Sequence, residues 1–182
     1  MEFPGEVLIL TGPPGSGKTT TADLLAQVPG CPKVHIHSDD FWGYIRFGLI
    51  EPWLPESNAQ NQVIMNALSH VAEEFALGRY LVILEGIIGP WFLDRFRSLK
   101  VPVHYVVLRP PLDLAISRCL QRGGDSLSDP DPIKFLHEQF SNLGEFENHV
   151  IPVGHQSPSD MVQLISQLLT SGSYRLEGLP HN

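Results

Sequence analysis

Cysteine is scarce: the 182 residues contain two, Cys31 and Cys119, with no metal-ligand spacing. A reduced, cytoplasmic setting is expected from such usage. There is no run of about 18 apolar residues, so no transmembrane helix is expected. Met1 to Glu6 lacks a basic start and the apolar stretch behind it reads as a strand, so no signal peptide is expected. Basic runs are also missing, and the formal net charge is −8. That balance disfavours a nucleic-acid partner, which wants a basic face, but a local basic pocket for a small anion remains compatible with it. Repeats and low-complexity segments are absent. What remains is ordinary globular composition, 42% hydrophobic and 18% charged, enough for one domain over residues 1–182 with a sizeable core.

The most informative stretch is Gly12-Pro13-Pro14-Gly15-Ser16-Gly17-Lys18-Thr19. It matches G-x-x-x-x-G-K-[ST], a loop that wraps a phosphate with backbone N–H groups. An apolar strand, Val7-Leu8-Ile9-Leu10, precedes it, and a helical stretch beginning Thr20-Thr21-Ala22-Asp23 follows. The motif needs that context, because the phosphate sits over a helix N-terminus. Glycines let the backbone approach without a clashing Cβ. Lys18 is expected on the β- and γ-phosphates and the Thr19 hydroxyl on Mg²⁺; Thr20 completes the nucleotide-binding set in the first helical turn. A Gly/Pro-rich surface turn is the plain alternative.

Strand and helix patterns alternate along the chain. Strands are predicted at 6–11, 33–37, 80–84, 103–108 and 149–153, and helices at 19–27, 58–77, 90–99, 112–122, 132–143 and 159–169. Val63, Ile64, Ala67, Leu68, Val71, Ala72 and Phe75 form a helical stripe. The alternation predicts an α/β fold of right-handed β-α-β units with a mostly parallel, doubly wound sheet, binding its ligand at the C-terminal strand ends.

Two acids fall at those ends. Ser38-Asp39-Asp40-Phe41 follows the second strand. A carboxylate there can accept a substrate hydroxyl proton or position Mg²⁺ through water; helix capping by Ser38, Asp39 or Asp40 is the alternative. Glu85, ending the third strand in Ile83-Leu84-Glu85-Gly86, suits water-mediated Mg²⁺ ligation or orientation of the nucleophile, against the alternative of an ordinary strand-end acid. Arg118 and Arg122 share a helix face ahead of Gly123-Gly124-Asp125-Ser126-Leu127-Ser128-Asp129-Pro130-Asp131-Pro132. This reads as a lid, about 118–132, carrying cations for a transferring phosphoryl group. Trp42, Arg46, Trp53 and Arg95 are expected around an acceptor. Gly154 and His155, after the fifth strand, are expected beside the adenine. His35, His37, His70, His104, His137 and also His155 form no ligand spacing, and a structural role is expected of each. The tail from Gly172 to Asn182 reads as loosely ordered.

This order of motifs resembles the small P-loop kinases built like nucleoside monophosphate kinases: gluconate kinase, shikimate kinase, chloramphenicol phosphotransferase, zeta toxin and AAA-like ATP-binding small kinases. The resemblance spans about Glu6 to Leu169. It implies a three-layer P-loop fold with a five-stranded parallel sheet, order 2-3-1-4-5, and a short lid. It matches Asp39 to the family's substrate-binding or base residue, Arg118 and Arg122 to lid arginines, and the stretch from Gly154 to Pro158 to the adenine loop. Shikimate kinases carry a glycine pair at strand three where this chain has Glu85-Gly86-Ile87-Ile88-Gly89.

The reading is an ATP- and Mg²⁺-dependent phosphotransferase acting on a small hydroxylated acceptor. Lys18, Asp39, Arg118 and Arg122 are its catalytic residues, with Asp39, Arg46 and Glu85 on the acceptor. A nucleotide-binding regulatory module with slow hydrolysis is the alternative, although N-K-x-D is absent. The sequence leaves the acceptor and the oligomeric state open.

Overall fold

The computed structural model describes residues 1–122 (without the Arg122 side chain), 129–154 and 156–178. Residues 123–128 of the expected lid, His155 and residues 179–182 lie outside that description.

Five strands form one sheet: β1 (Val7–Thr11), β2 (Lys33–His37), β3 (Leu81–Gly86), β4 (Val103–Arg109) and β5 (Val150–Pro152). Their order is β2-β3-β1-β4-β5 and every pairing is parallel. This is the expected P-loop architecture. The central strands β1, β3 and β4 are largely apolar because both sheet faces are covered, whereas the edge strand β2 is half-buried and carries Lys33, His35 and His37. On β1, Val7 and Ile9 join one core while Leu8 and Leu10 join the other, the period-two alternation of a pleated strand. Helices α1 (Lys18–Gln27) and α7 (Pro158–Ser171) bury Ala22, Leu25, Met161, Ile165 and Leu169 on one face. On the other lie α3 (Asn58–Leu77) and α4 (Leu93–Arg97), with Met65, Leu68, Ala72 and Phe96 fully enclosed. The remaining helices are α2 (Asp40–Gly43), α5 (Leu112–Arg122) and α6 (Pro130–Gln139).

Predicted and observed elements differ where capping or pairing, rather than periodicity, sets the boundary. Strand β3 runs two residues beyond Leu84, because Glu85 pairs with both Leu10 and His37 and Gly86 pairs with Thr11. Helix α6 starts earlier than predicted: Asp129 accepts a hydrogen bond from the Asp131 amide and Pro130 fits the first turn. A Ser157–Asp160 capping box starts α7. The buried stripe on α3 is turned from the predicted one. Ile64, Met65, Leu68, Ala72 and Ala76 face inward, while Val63 is 69% exposed. The short α2 has too few residues to show a period and was not predicted.

The tail is tied down as far as Leu176, contrary to the loose ordering expected from Gly172. Tyr105 N–H donates to Tyr174 O at 2.8 Å, and Leu176 N–H to Val103 O at 2.8 Å. This makes a one-pair antiparallel bridge, His104 to Arg175, where the three-residue β5 does not reach.

Candidate active site

The loop between β1 and α1 is pressed against β4 and α5 so closely that two of its glycines are obligatory. Gly12 has φ +142°, and a Cβ there would stand 2.1 Å from Leu108 O. Gly15 has φ +74°, and its Cβ would stand 2.3 Å from Ala115 O. Gly12, Pro13 and Ser16 are buried in the loop's support. Helix α1 opens on Gly17 without a side-chain cap, so its first amides and the loop form a positively polarised mouth. Lys18 Nζ donates to Pro13 O at 3.1 Å across the curl. Thr20 is exposed on the first turn of α1.

Arg118, on α5, ties this mouth to the loop after β5. Its guanidinium donates to Gly15 O and to Gly154 O, each at 3.4 Å. Gly154 N–H in turn donates to Gln156 Oε1 at 2.6 Å. Arg122 ends α5, with its side chain outside the described residues.

A cavity of about 710 Å³ opens from the phosphate loop across the C-terminal ends of β2 and β3. Pro14, Gly15, Lys18 and Thr19 of the phosphate loop line it, together with His37, Asp39 and Glu85 from the ends of β2 and β3. Asp39 precedes α2 but makes no capping bond, so helix capping is not what this carboxylate does. Ser38 Oγ donates to its Oδ1 at 3.3 Å, and Ser38 is held by its own N–H to Glu85 O at 2.9 Å. Gly86 makes this approach possible, since a Cβ on it would lie 1.7 Å from Ser38 Oγ. Asp40 does not line the cavity.

Glu85 is fully buried. His37 Nε2 stands 3.1 Å from Glu85 Oε1 without hydrogen-bond alignment, and among the described residues neither oxygen of Glu85 accepts a hydrogen bond. A buried carboxylate in that state is costly without a partner. On the other face of the sheet, burial pushes the Tyr105 hydroxyl far above its ordinary pKa, and that hydroxyl donates to Ile88 O at 2.9 Å.

Much of the remaining lining is aromatic or proline. Trp42 and Trp53 belong to it as expected; Arg46 and Arg95 do not. Arg46 follows α2 in an exposed stretch, and Arg95 donates to Asn66 Oδ1 on α3. His37, read as structural from the sequence, also lines the cavity. Its signal is register: it pairs with Glu85 across β2 and β3 and stands two residues before Asp39. His70 and His137 bond to backbone carbonyls and His104 to Glu6, as structural histidines do.

A family model described as an AAA domain matches residues 8–130, which include the phosphate loop, Asp39, Glu85 and α5. The chain belongs to the AAA domain family. Among solved structures this AAA domain has the fold of the small P-loop kinases. It superposes on a sugar kinase from a Janibacter species with a TM-score of 0.66 at 20% identity, covering 91% of this chain and 94% of that one. A Deinococcus radiodurans tunicamycin resistance protein gives 0.65 at 19% identity, with 90% and 95% covered. Shikimate kinase from Acinetobacter baumannii, in complex with shikimate, gives 0.64 at 21%, with 93% and 94% covered. Among curated proteins no sequence matches. No helix of the described residues is long and apolar enough to cross a membrane.

Proposed function

We propose that this AAA domain protein transfers the γ-phosphoryl group of ATP to a hydroxyl of a small molecule. One observation carries the reading: a carboxylate not used as a helix cap, Asp39, shares a single cavity with Lys18 and Thr19 of the phosphate loop. Neighbours named as kinases of a sugar and of shikimate support it.

In the reaction, the acceptor oxygen bonds to the γ-phosphorus as the bond to the β,γ-bridging oxygen breaks, and ADP leaves. Asp39 orients the acceptor and takes its hydroxyl proton. Lys18 and the loop amides hold the phosphates. Arg118, already resting on the loop, stabilises the charge that spreads over the transferring group, and Arg122 is assigned the same role. Gly154 and His155 belong to the nucleotide end. The residues also fit Mg²⁺, because Glu85 offers two buried oxygens without hydrogen bonds in the cavity that Thr19 lines. Thr19 would hold the ion directly and Glu85 through water, and the ion would neutralise phosphate charge. A reduced cytoplasmic setting belongs to the same reading, with both cysteines buried as thiols.

Asp39→Asn tests the proposal. Turnover of Mg-ATP with an accepted alcohol is expected to fall by about 10²-fold or more, the usual scale for a general base, with nucleotide affinity unchanged. Asp40→Asn is expected to leave turnover near wild type. Full activity in Asp39→Asn would remove the base from the mechanism.

A further inference from the structure

The acceptor end of the cavity has a chemistry of its own. All three tryptophans of the chain, Trp42, Trp53 and Trp91, line it. Phe92 and Phe135 add further ring surface. The polar atoms of this wall are engaged with one another. Trp42 Nε1 donates to Asn61 Oδ1 at 2.9 Å, while Asn61 Nδ2 donates to Pro52 O and to Ser57 Oγ, each at 2.8 Å. Ser57 Oγ donates toward Pro52 O and Leu54 O, at 2.8 and 2.7 Å. The wall is therefore a braced unit, and Trp42 offers the cavity ring carbon rather than its N–H.

The charge is as one-sided as the shape. Among the described lining residues Lys18, at the phosphate end, is the single lysine or arginine, whereas Asp39 and Glu85 both contribute carboxylates. Recognition of a carboxylate or phosphate group relies on guanidinium forks or comparable donors. Arg46 and Arg95, expected around the acceptor, are not among the residues that line the cavity. Among the described residues, an anionic substituent on the acceptor would meet rings and two acids with no lysine or arginine and only His37 as a base, and such burial is costly.

Resting on the phosphotransfer reading above, we infer that the acceptor is a hydroxylated molecule with an apolar, ring-sized body and no negative charge. Asp39 receives its hydroxyl, and the tryptophan wall packs its body. Rings add dispersion and stacking to area burial, and Trp is the best aromatic partner for any cationic substituent the acceptor carries.

The three tryptophans make occupancy visible as a change in intrinsic fluorescence. Three matched probes would be titrated in the presence of Mg-ADP: methyl 4-(hydroxymethyl)benzoate, 4-(aminomethyl)benzyl alcohol and 4-(hydroxymethyl)benzoate. The neutral and cationic alcohols are expected to change the fluorescence at concentrations about tenfold or more below the carboxylate. An equal or stronger response to the carboxylate, or no response to any of the three, overturns the inference. A parallel assay of ADP formation from Mg-ATP separates the two readings. Fluorescence discrimination without ADP formation supports the acceptor class and counts against phosphotransfer. ADP formation with the carboxylate alone supports phosphotransfer and overturns the acceptor class.

Discussion

The two ends of the cavity are made in different ways. The nucleotide end is backbone: one continuous loop whose glycines are fixed by contact with Leu108 O and Ala115 O, feeding the first amides of a helix. The proposed acceptor end is side chain. It is assembled from α2, the 52–58 stretch, α3 and the residues after β3, and is held by a hydrogen-bond chain centred on Asn61. A surface made of backbone tolerates little sequence change, so it recurs and is readable. One made of side chains can be replaced residue by residue, so the acceptor end can change its ligand while the fold stays.

The sharpest way to break this comparison is to remove the brace. Asn61→Ala leaves the Trp42 N–H without its acceptor and cuts both bonds to the 52–57 stretch. It should cost about 1–3 kcal/mol in denaturant unfolding, the penalty of a buried partner removed. It should also weaken acceptor probes while Mg-ATP affinity stays at the wild-type value. A matching loss of ATP affinity, measured calorimetrically, would mean that the two ends are not separable.

Lys18→Ala is the converse. It removes the ammonium from the phosphate end and leaves the wall intact. Mg-ATP affinity is expected to fall by about tenfold, about 1.4 kcal/mol. The fluorescence response to neutral acceptor probes should persist.

The smallest expected effect lies at the outer margin of the nucleotide end. Arg109, which ends β4, pairs with Glu147 through two hydrogen bonds of 2.9 Å, and its carbonyl accepts from Val153 N–H before the post-β5 loop. Hydrogen bonds from Arg109 and from the Leu143 amide hold the Glu147 carboxyl down at about 2, against an ordinary 4.5. A depressed carboxyl contributes stability above its unfolded pKa and loses it as pH falls toward the folded value. The stability difference between wild type and Glu147→Gln should therefore shrink as pH is lowered from about 5 to about 2.5. A constant difference across that range would show that the pair contributes no charge-dependent stability.

Legibility in the sequence follows the same division. The phosphate loop and the Lys33–His37, Asn58–Leu77 and Leu112–Arg122 elements were readable, because glycine spacing and hydrophobic period are local signals, whereas the strand order came from the family resemblance. Asp39 could be placed at the cavity because it directly follows a strand. His37 could not, since its partner Glu85 is 48 positions away and the link is sheet register. Arg46 and Arg95 were misplaced for the opposite reason. Proximity in sequence to a binding stretch says nothing about which way a short helix or its flank turns, and α2 and α4 have only four and five residues. The rotation of the α3 stripe has a similar origin: Val63 is apolar but outward, because Met65 and the small Ala72 and Ala76 define the inward face.

The bridge between Arg175 and His104 has a consequence for solubility. Strand β5 covers only Val107–Arg109 of β4, so the first half of β4 would otherwise present unpaired amides and carbonyls along that side of the strand. An edge of that kind is a template for another chain's strand. The segment Tyr174 to Leu176 occupies it, which makes these residues a guard against edge-to-edge aggregation.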